Sequence, residues 1–192
     1  MRTPEALTRD RAVLLVIDIQ ERLTAAMPPA VAEHTVRNAA ILVEAAARLG
    51  VPIVWSEQYP KGLGKTVAAI DTALAAASAA GARVHRVEKL EFSLAPHLGS
   101  PGLGLPESPQ WILAGMETHV CVYQTARDLL GVGGSVHVVA DAVCSRTKAN
   151  WRIGVERLRS EAAAVTSTES VVFELLGRAG TDEFKALSKL IK

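Results

Sequence analysis

Cysteine is scarce in this chain of 192 residues: there are two, Cys121 and Cys144. Two thiols cannot build a disulfide scaffold, so a reduced, cytoplasmic protein is the expectation. An excess of one charge is also missing, with 21 basic against 20 acidic residues. That balance gives no overall field to attract nucleic acid or an anionic membrane. The opening stretch, residues 1–10, is polar and has no apolar core of a signal peptide. Every candidate membrane span is broken by charge, Gly or Pro well before about 20 residues. Repeats, linkers and composition breaks are absent too. With 49% hydrophobic and 21% charged residues, disorder is excluded and a single domain over 1–192 is expected.

What is present is alternation. Residues 12–19 (AVLLVIDI) form a short apolar run, the pattern of a strand buried on both faces of a parallel sheet. Further strands are expected at 51–55, 83–87, 110–115, 135–140 and 163–165. Helical spacing occupies 31–49, 66–80, about 118–130, 147–160, 170–176 and 182–191, with Gly50 and Gly81 as stops. The order predicts an α/β fold: a doubly wound, mostly parallel open sheet with helices on both faces.

Ligands of such sheets bind beyond the carboxyl ends of the strands, so reactive side chains at strand ends carry the functional signal. There are three. Asp18 closes the first strand, Lys89 follows the third and Cys121 comes shortly after the fourth. Each has an ordinary structural alternative: a turn or cap aspartate, a solvated lysine, a small core cysteine. Brought together they define a chemistry. A helix starting near Thr118 would place Cys121 in its first turn, where backbone N–H groups stabilise a thiolate, and a nearby lysine would lower the thiol pKa further. Asp18 would take the thiol proton and return it to a leaving amine. On this reading Cys121 alkylates fast at neutral pH and slows in Asp18→Asn or Lys89→Ala.

The motifs around these residues resemble the isochorismatase-like cysteine hydrolases over nearly the whole chain. The segments are Leu14-Leu15-Val16-Ile17-Asp18-Ile19-Gln20, Lys89 with Phe92-Ser93, and Gly115-Met116-Glu117-Thr118-His119-Val120-Cys121-Val122. Glu57-Gln58-Tyr59-Pro60-Lys61-Gly62-Leu63-Gly64 and Val138-Val139-Ala140-Asp141-Ala142 resemble the subgroup of isochorismatase domain-containing proteins. The resemblance implies an Asp18–Lys89–Cys121 triad and a cis peptide at Met116–Glu117. It implies an oxyanion hole from the Glu117 and Cys121 backbone N–H groups, and assembly into homo-oligomers.

Two departures narrow the activity. Nicotinamidases of this family carry a metal-binding D-x-H segment after the second strand, where this chain reads Ser56-Glu57-Gln58-Tyr59. The five histidines, His34, His85, His97, His119 and His137, show no ligand spacing. No metal or cofactor is therefore expected. True isochorismatases lack the cysteine, so Cys121 argues against vinyl ether hydrolysis.

Gly62-Leu63-Gly64-Lys65-Thr66 lacks the first glycine of a phosphate loop and reads as a loop over the crevice. Gln20, Tyr59, Phe92, Met116 and Trp151 are candidate substrate contacts, with packing or capping as the alternative for each. Cys144 is expected to be a structural thiol. The reading is a metal-independent cysteine hydrolase cleaving a C–N bond of a small amide or carbamate through a thioester. A scaffold that retains the triad without turnover, and a redox protein using Cys121 and Cys144, stand as alternatives.

Overall fold

The computed structural model describes residues 5–191, so the first four residues of the polar opening stretch, and Lys192, lie outside the described residues. Six strands form one parallel sheet: β1 (Ala12–Ile17), β2 (Ile53–Gln58), β3 (Val84–Lys89), β4 (Gln110–Met116), β5 (Ser135–Cys144) and β6 (Ala164–Thr166). Their order is β3-β2-β1-β4-β5-β6. Strand order reverses between β1 and β4, which puts a topological switch point beside Asp18 and Glu117.

β1 and β4 are buried along their whole length, which is why they read as continuous apolar runs. Eight helices connect and flank the strands: α1 (Glu21–Ala25), α2 (Pro29–Leu49), α3 (Pro60–Leu63), α4 (Ala68–Ala79), α5 (Tyr123–Gly131), α6 (Lys148–Ser160), α7 (Thr168–Leu176) and α8 (Asp182–Leu187). The core divides into two apolar clusters. One holds buried residues of α2, α4 and α7; the other holds those of α5 and α6. Among the described residues no helix is long and apolar enough to cross a membrane.

Several boundaries differ from the sequence expectation, each for a local reason. β1 ends at Ile17 because Asp18 takes a left-handed φ of 51°. β2 and β3 run on to Gln58 and Lys89, in register as Gln58–Lys89, so both strands carry their polar ends to the site. The short α1 and α3 have too few residues to show a period. The expected helix from Thr118 is in fact a π-helical turn, Thr118–Val122, followed by α5.

β5 runs to Cys144 and bulges: two residues of β4 advance from Leu113 to Gly115 while five of β5 advance from Val138 to Val143. Side chains take up carbonyls that this bulge frees from the ladder. Trp151 Nε1 donates to Ala140 O at 3.3 Å and Asn38 Nδ2 to Asp141 O at 2.8 Å.

Candidate active site

β1 delivers Asp18 into a position where the sheet can no longer pair. Its φ lies in the region L side chains rarely adopt, a conformation that must be held by its surroundings. It is held at both ends: Asp18 N donates to Ser56 O at 3.2 Å, and Gln20 N donates to Asp18 O at 2.9 Å. Directly opposite, Gly115 of β4 approaches Ile17 so closely that a Cβ there would run into the Ile17 backbone. Only glycine lets β4 lie this near to β1 and bring the following residues beside Asp18.

The carboxylate of Asp18 is wholly buried and fully partnered. Ser56 Oγ donates to Oδ1 at 2.7 Å and Lys89 Nζ donates to Oδ2 at 2.6 Å. The Lys89 side chain is itself 0% exposed. Its other two ammonium hydrogens go to Glu91 O at 3.2 Å and Phe92 O at 3.1 Å. Each buried charge thus has an opposite charge and a full set of hydrogen bonds, the condition under which such a pair persists in a core.

Cys121 sits in the π-helical turn, where its thiol feels the charges of the Asp18 carboxylate and of Lys89. Burial pushes this thiol up, the Asp18 charge adds to the effect, and Lys89 opposes both. The turn places Cys121 near a helix start, as expected, but burial works against a thiolate there.

The peptide between Met116 and Glu117 is cis. Glu117 O accepts the amides of Val120 at 3.0 Å and Val122 at 3.3 Å, which shapes the turn carrying Cys121. The buried Glu117 carboxylate accepts Arg146 N at 2.9 Å and Arg146 Nε at 3.1 Å. His119 Nδ1 lies 3.0 Å from Ser145 Oγ. From the other side α6 packs at Gly154, where a Cβ would stand 3.0 Å from His119 N.

The expected substrate contacts separate into three groups. Gln20 and Met116 are engaged with the framework. Gln20 is fully buried; Nε2 donates to Gln58 O at 3.1 Å and Gly64 O at 2.7 Å, and Oε1 accepts Gln58 N at 2.8 Å. It ties the 59–66 loop to β1 and has no donor hydrogen left for a carbonyl. Met116 is buried in the cluster on the α2 side, with Thr24 Oγ1 3.7 Å from its sulfur. Tyr59 and Phe92 are half-exposed on loops that flank Lys89: Tyr59 N donates to Lys89 O at 2.8 Å, and the Phe92 carbonyl holds Nζ. Trp151 is half-buried and anchored on the β5 bulge.

Ser56 is the residue that sequence reasoning missed. It fixes Asp18, yet a serine inside a strand carries no motif. Its neighbour Glu57 faces elsewhere, accepting Thr66 N at 2.6 Å, Thr66 Oγ1 at 2.9 Å and Arg86. Gln58 Nε2 donates to Leu90 O at 3.1 Å. The segment where nicotinamidases hold a metal is therefore engaged with the protein's own groups. Among the described residues, no three His, Cys, Asp or Glu side chains gather in a way that could hold an ion. Cys144 is also a buried free thiol, in the cluster on the α2 side, whereas Cys121 belongs to the cluster on the α5 side.

A buried carboxylate, ammonium and thiol at the switch point of a six-stranded parallel sheet define an α/β protein of the isochorismatase-like class. The isochorismatase domain model matches residues 12–170, and the chain belongs to that family. It is 41% identical over 189 residues to the secreted isochorismatase effector Isc1 of Phytophthora sojae, covering 94% of this chain and 84% of that protein. Isochorismatase domain-containing protein 2 of Danio rerio is 36% identical over 188 residues, covering 96% and 89%. Among solved structures, the MAR1 ribonuclease of Caenorhabditis elegans superposes with a TM-score of 0.86 at 31% identity, over 97% and 92% of the two chains. YcaC of Escherichia coli, described as an octameric hydrolase of unknown specificity, shares the fold with a TM-score of 0.81 at 18% identity, over 99% and 92%.

Proposed function

We propose that this protein is a metal-independent cysteine hydrolase that cleaves the C–N bond of a small amide or carbamate. The observation that carries the reading is the buried Asp18 carboxylate that Lys89 and Ser56 hold in place, with the Cys121 thiol near enough to feel its charge. Because the thiol rests protonated, its proton moves to Asp18 as sulfur attacks the carbonyl carbon. The Glu117 and Cys121 backbone N–H groups receive the developing oxyanion, a contribution of about 3–4 kcal/mol per donor. Collapse breaks the C–N bond, and Asp18 passes its proton to the leaving amine. Asp18 then takes a proton from water, which attacks the thioester. Cleavage of the C–S bond returns that proton to sulfur. Lys89 holds Asp18 oriented between these transfers.

Family membership and the hydrolase description of YcaC support the reaction class. An RNA substrate, which the name of the nematode protein gives for that protein, fits poorly with a chain of 21 basic and 20 acidic residues. We further propose that the chain assembles in copies, as YcaC does. The test is a panel of small amides and carbamates with wild type and Cys121→Ala, each with and without chelator. Turnover that disappears in Cys121→Ala and survives chelation supports the reading. Turnover in Cys121→Ala, or loss of activity on chelation, overturns it.

A further inference from the structure

A second cavity lies on the far side of the loop that braces the Cys121 turn. Its volume is about 620 Å³, and His34, Asp141, Cys144, Ser145, Lys148 and Trp151 are among its walls. Asp18, Lys89 and Cys121 do not line it. The size falls in the range of small-molecule sites, and the makeup matches too: a mainly apolar lining with a few polar groups. The apolar part comes from the side of α2 and from Val143, with the indole of Trp151 fixed by its bond to Ala140 O.

The charges in the cavity are unequal in availability. The Asp141 carboxylate is committed: Oδ1 accepts Thr168 N at 2.8 Å and Thr168 Oγ1 at 3.0 Å, at the N-terminal end of α7, where negative charge is favoured. His34 Nε2 lies 3.1 Å from Asn38 Nδ2. Lys148 is exposed, and among the described residues its ammonium has no hydrogen-bond or ion-pair partner. One free cation at the rim of an apolar cavity with an indole wall selects a flat apolar ligand bearing one negative charge.

We propose that this cavity is an accessory binding site for a small aryl carboxylate, its ring against Trp151 and its carboxylate on Lys148. Between cavity and nucleophile turn stand the end of β5 and the loop that follows it. Ser145 reaches His119, Arg146 reaches Glu117, and Cys144 stands in register with Met116. Binding is read without turnover, so the proposal stands or falls apart from the hydrolase assignment.

The test titrates benzoate, with benzamide as its neutral counterpart, into the full chain and follows the indole N–H signals by nuclear magnetic resonance. Trp55, Trp111 and Trp151 give three signals, assigned with Trp151→Phe. The expected result is a saturable shift of the Trp151 signal alone, at least tenfold weaker for benzamide and at least tenfold weaker for benzoate in Lys148→Glu. Lys148→Met, which adds no negative charge, gives the same direction. A Trp151 signal that does not move, equal affinity for the two compounds, or benzoate binding untouched in both Lys148 variants overturns the proposal.

Discussion

Asp18 and Glu57, two of the buried carboxylates near the carboxyl edge of the sheet, each have a basic partner, and in the proposed mechanism only Asp18 does chemistry. Asp18 pairs with a lysine whose side chain is fully buried, and its charge reaches the Cys121 thiol. Glu57 pairs with Arg86, which is half exposed, also meets Glu88, and lies over Trp55 with its guanidinium 5.5 Å from the ring centroid. Glu57 holds the amide and hydroxyl of Thr66, so it is a strut for the loop that Gln20 fastens from the other side. The lesson lies in the partner. A buried carboxylate whose partners are a shielded point charge and a proton donor can exchange protons. One bonded to backbone and to a wetted arginine can only hold a loop.

Removing the partner separates the two most sharply. Lys89→Met leaves the buried Asp18 without its cationic partner, and should cost about 3–5 kcal/mol in urea denaturation. Equal losses in Lys89→Met and Arg86→Ala would erase the contrast. Asp18→Asn comes next: once a substrate is in hand, turnover should drop about 10²–10⁴-fold through loss of the proton acceptor, measured as kcat beside a melt that confirms folding. Glu57→Gln should leave kcat within a few-fold.

Ser56→Ala deletes a single bond to Asp18, about 1–1.5 kcal/mol, and should slow turnover roughly tenfold with little change in KM. A purely structural serine would leave kcat untouched. The smallest effect belongs to the strut. Arg86→Ala should cost about 1 kcal/mol or less, as expected for a pair open to solvent on one side.

The strut also has a pH signature. Burial disfavours the charged form of Glu57, but the bonds from Arg86 and Thr66 outweigh it, and its pKa is lowered from 4.5. Its contribution to stability is therefore present above the unfolded value and is lost as pH falls through the lowered one. Acid titration of stability should lose part of this step in Arg86→Ala and keep it in Lys148→Glu.

Much of this was legible in the sequence, and the gaps have physical causes. Parallel strands buried on both faces announce themselves as apolar runs, so the sheet was readable from β1, β4 and β5. Asp18, Lys89 and Cys121 were singled out because each stands at or shortly after a strand end in the sequence. Ser56 was not, since its role depends on β2 lying beside β1, a pairing no local pattern encodes. The effect of burial on Cys121 was not readable, because a helix start is visible in sequence whereas desolvation arises only on packing. Trp151 was singled out, but the bulge that anchors it was invisible: the extra residues of β5 look like the end of a strand.

The most direct test is the pH profile of Cys121 alkylation by iodoacetamide, compared with a free thiol and with Asp18→Asn. The account predicts a reaction slower than the free thiol at neutral pH that climbs only in alkali, with the climb moved to lower pH in Asp18→Asn, because burial and the Asp18 charge both hold the proton on sulfur. Alkylation of the wild type as fast at neutral pH as in alkali would contradict it, and would mean that Cys121 rests as a thiolate.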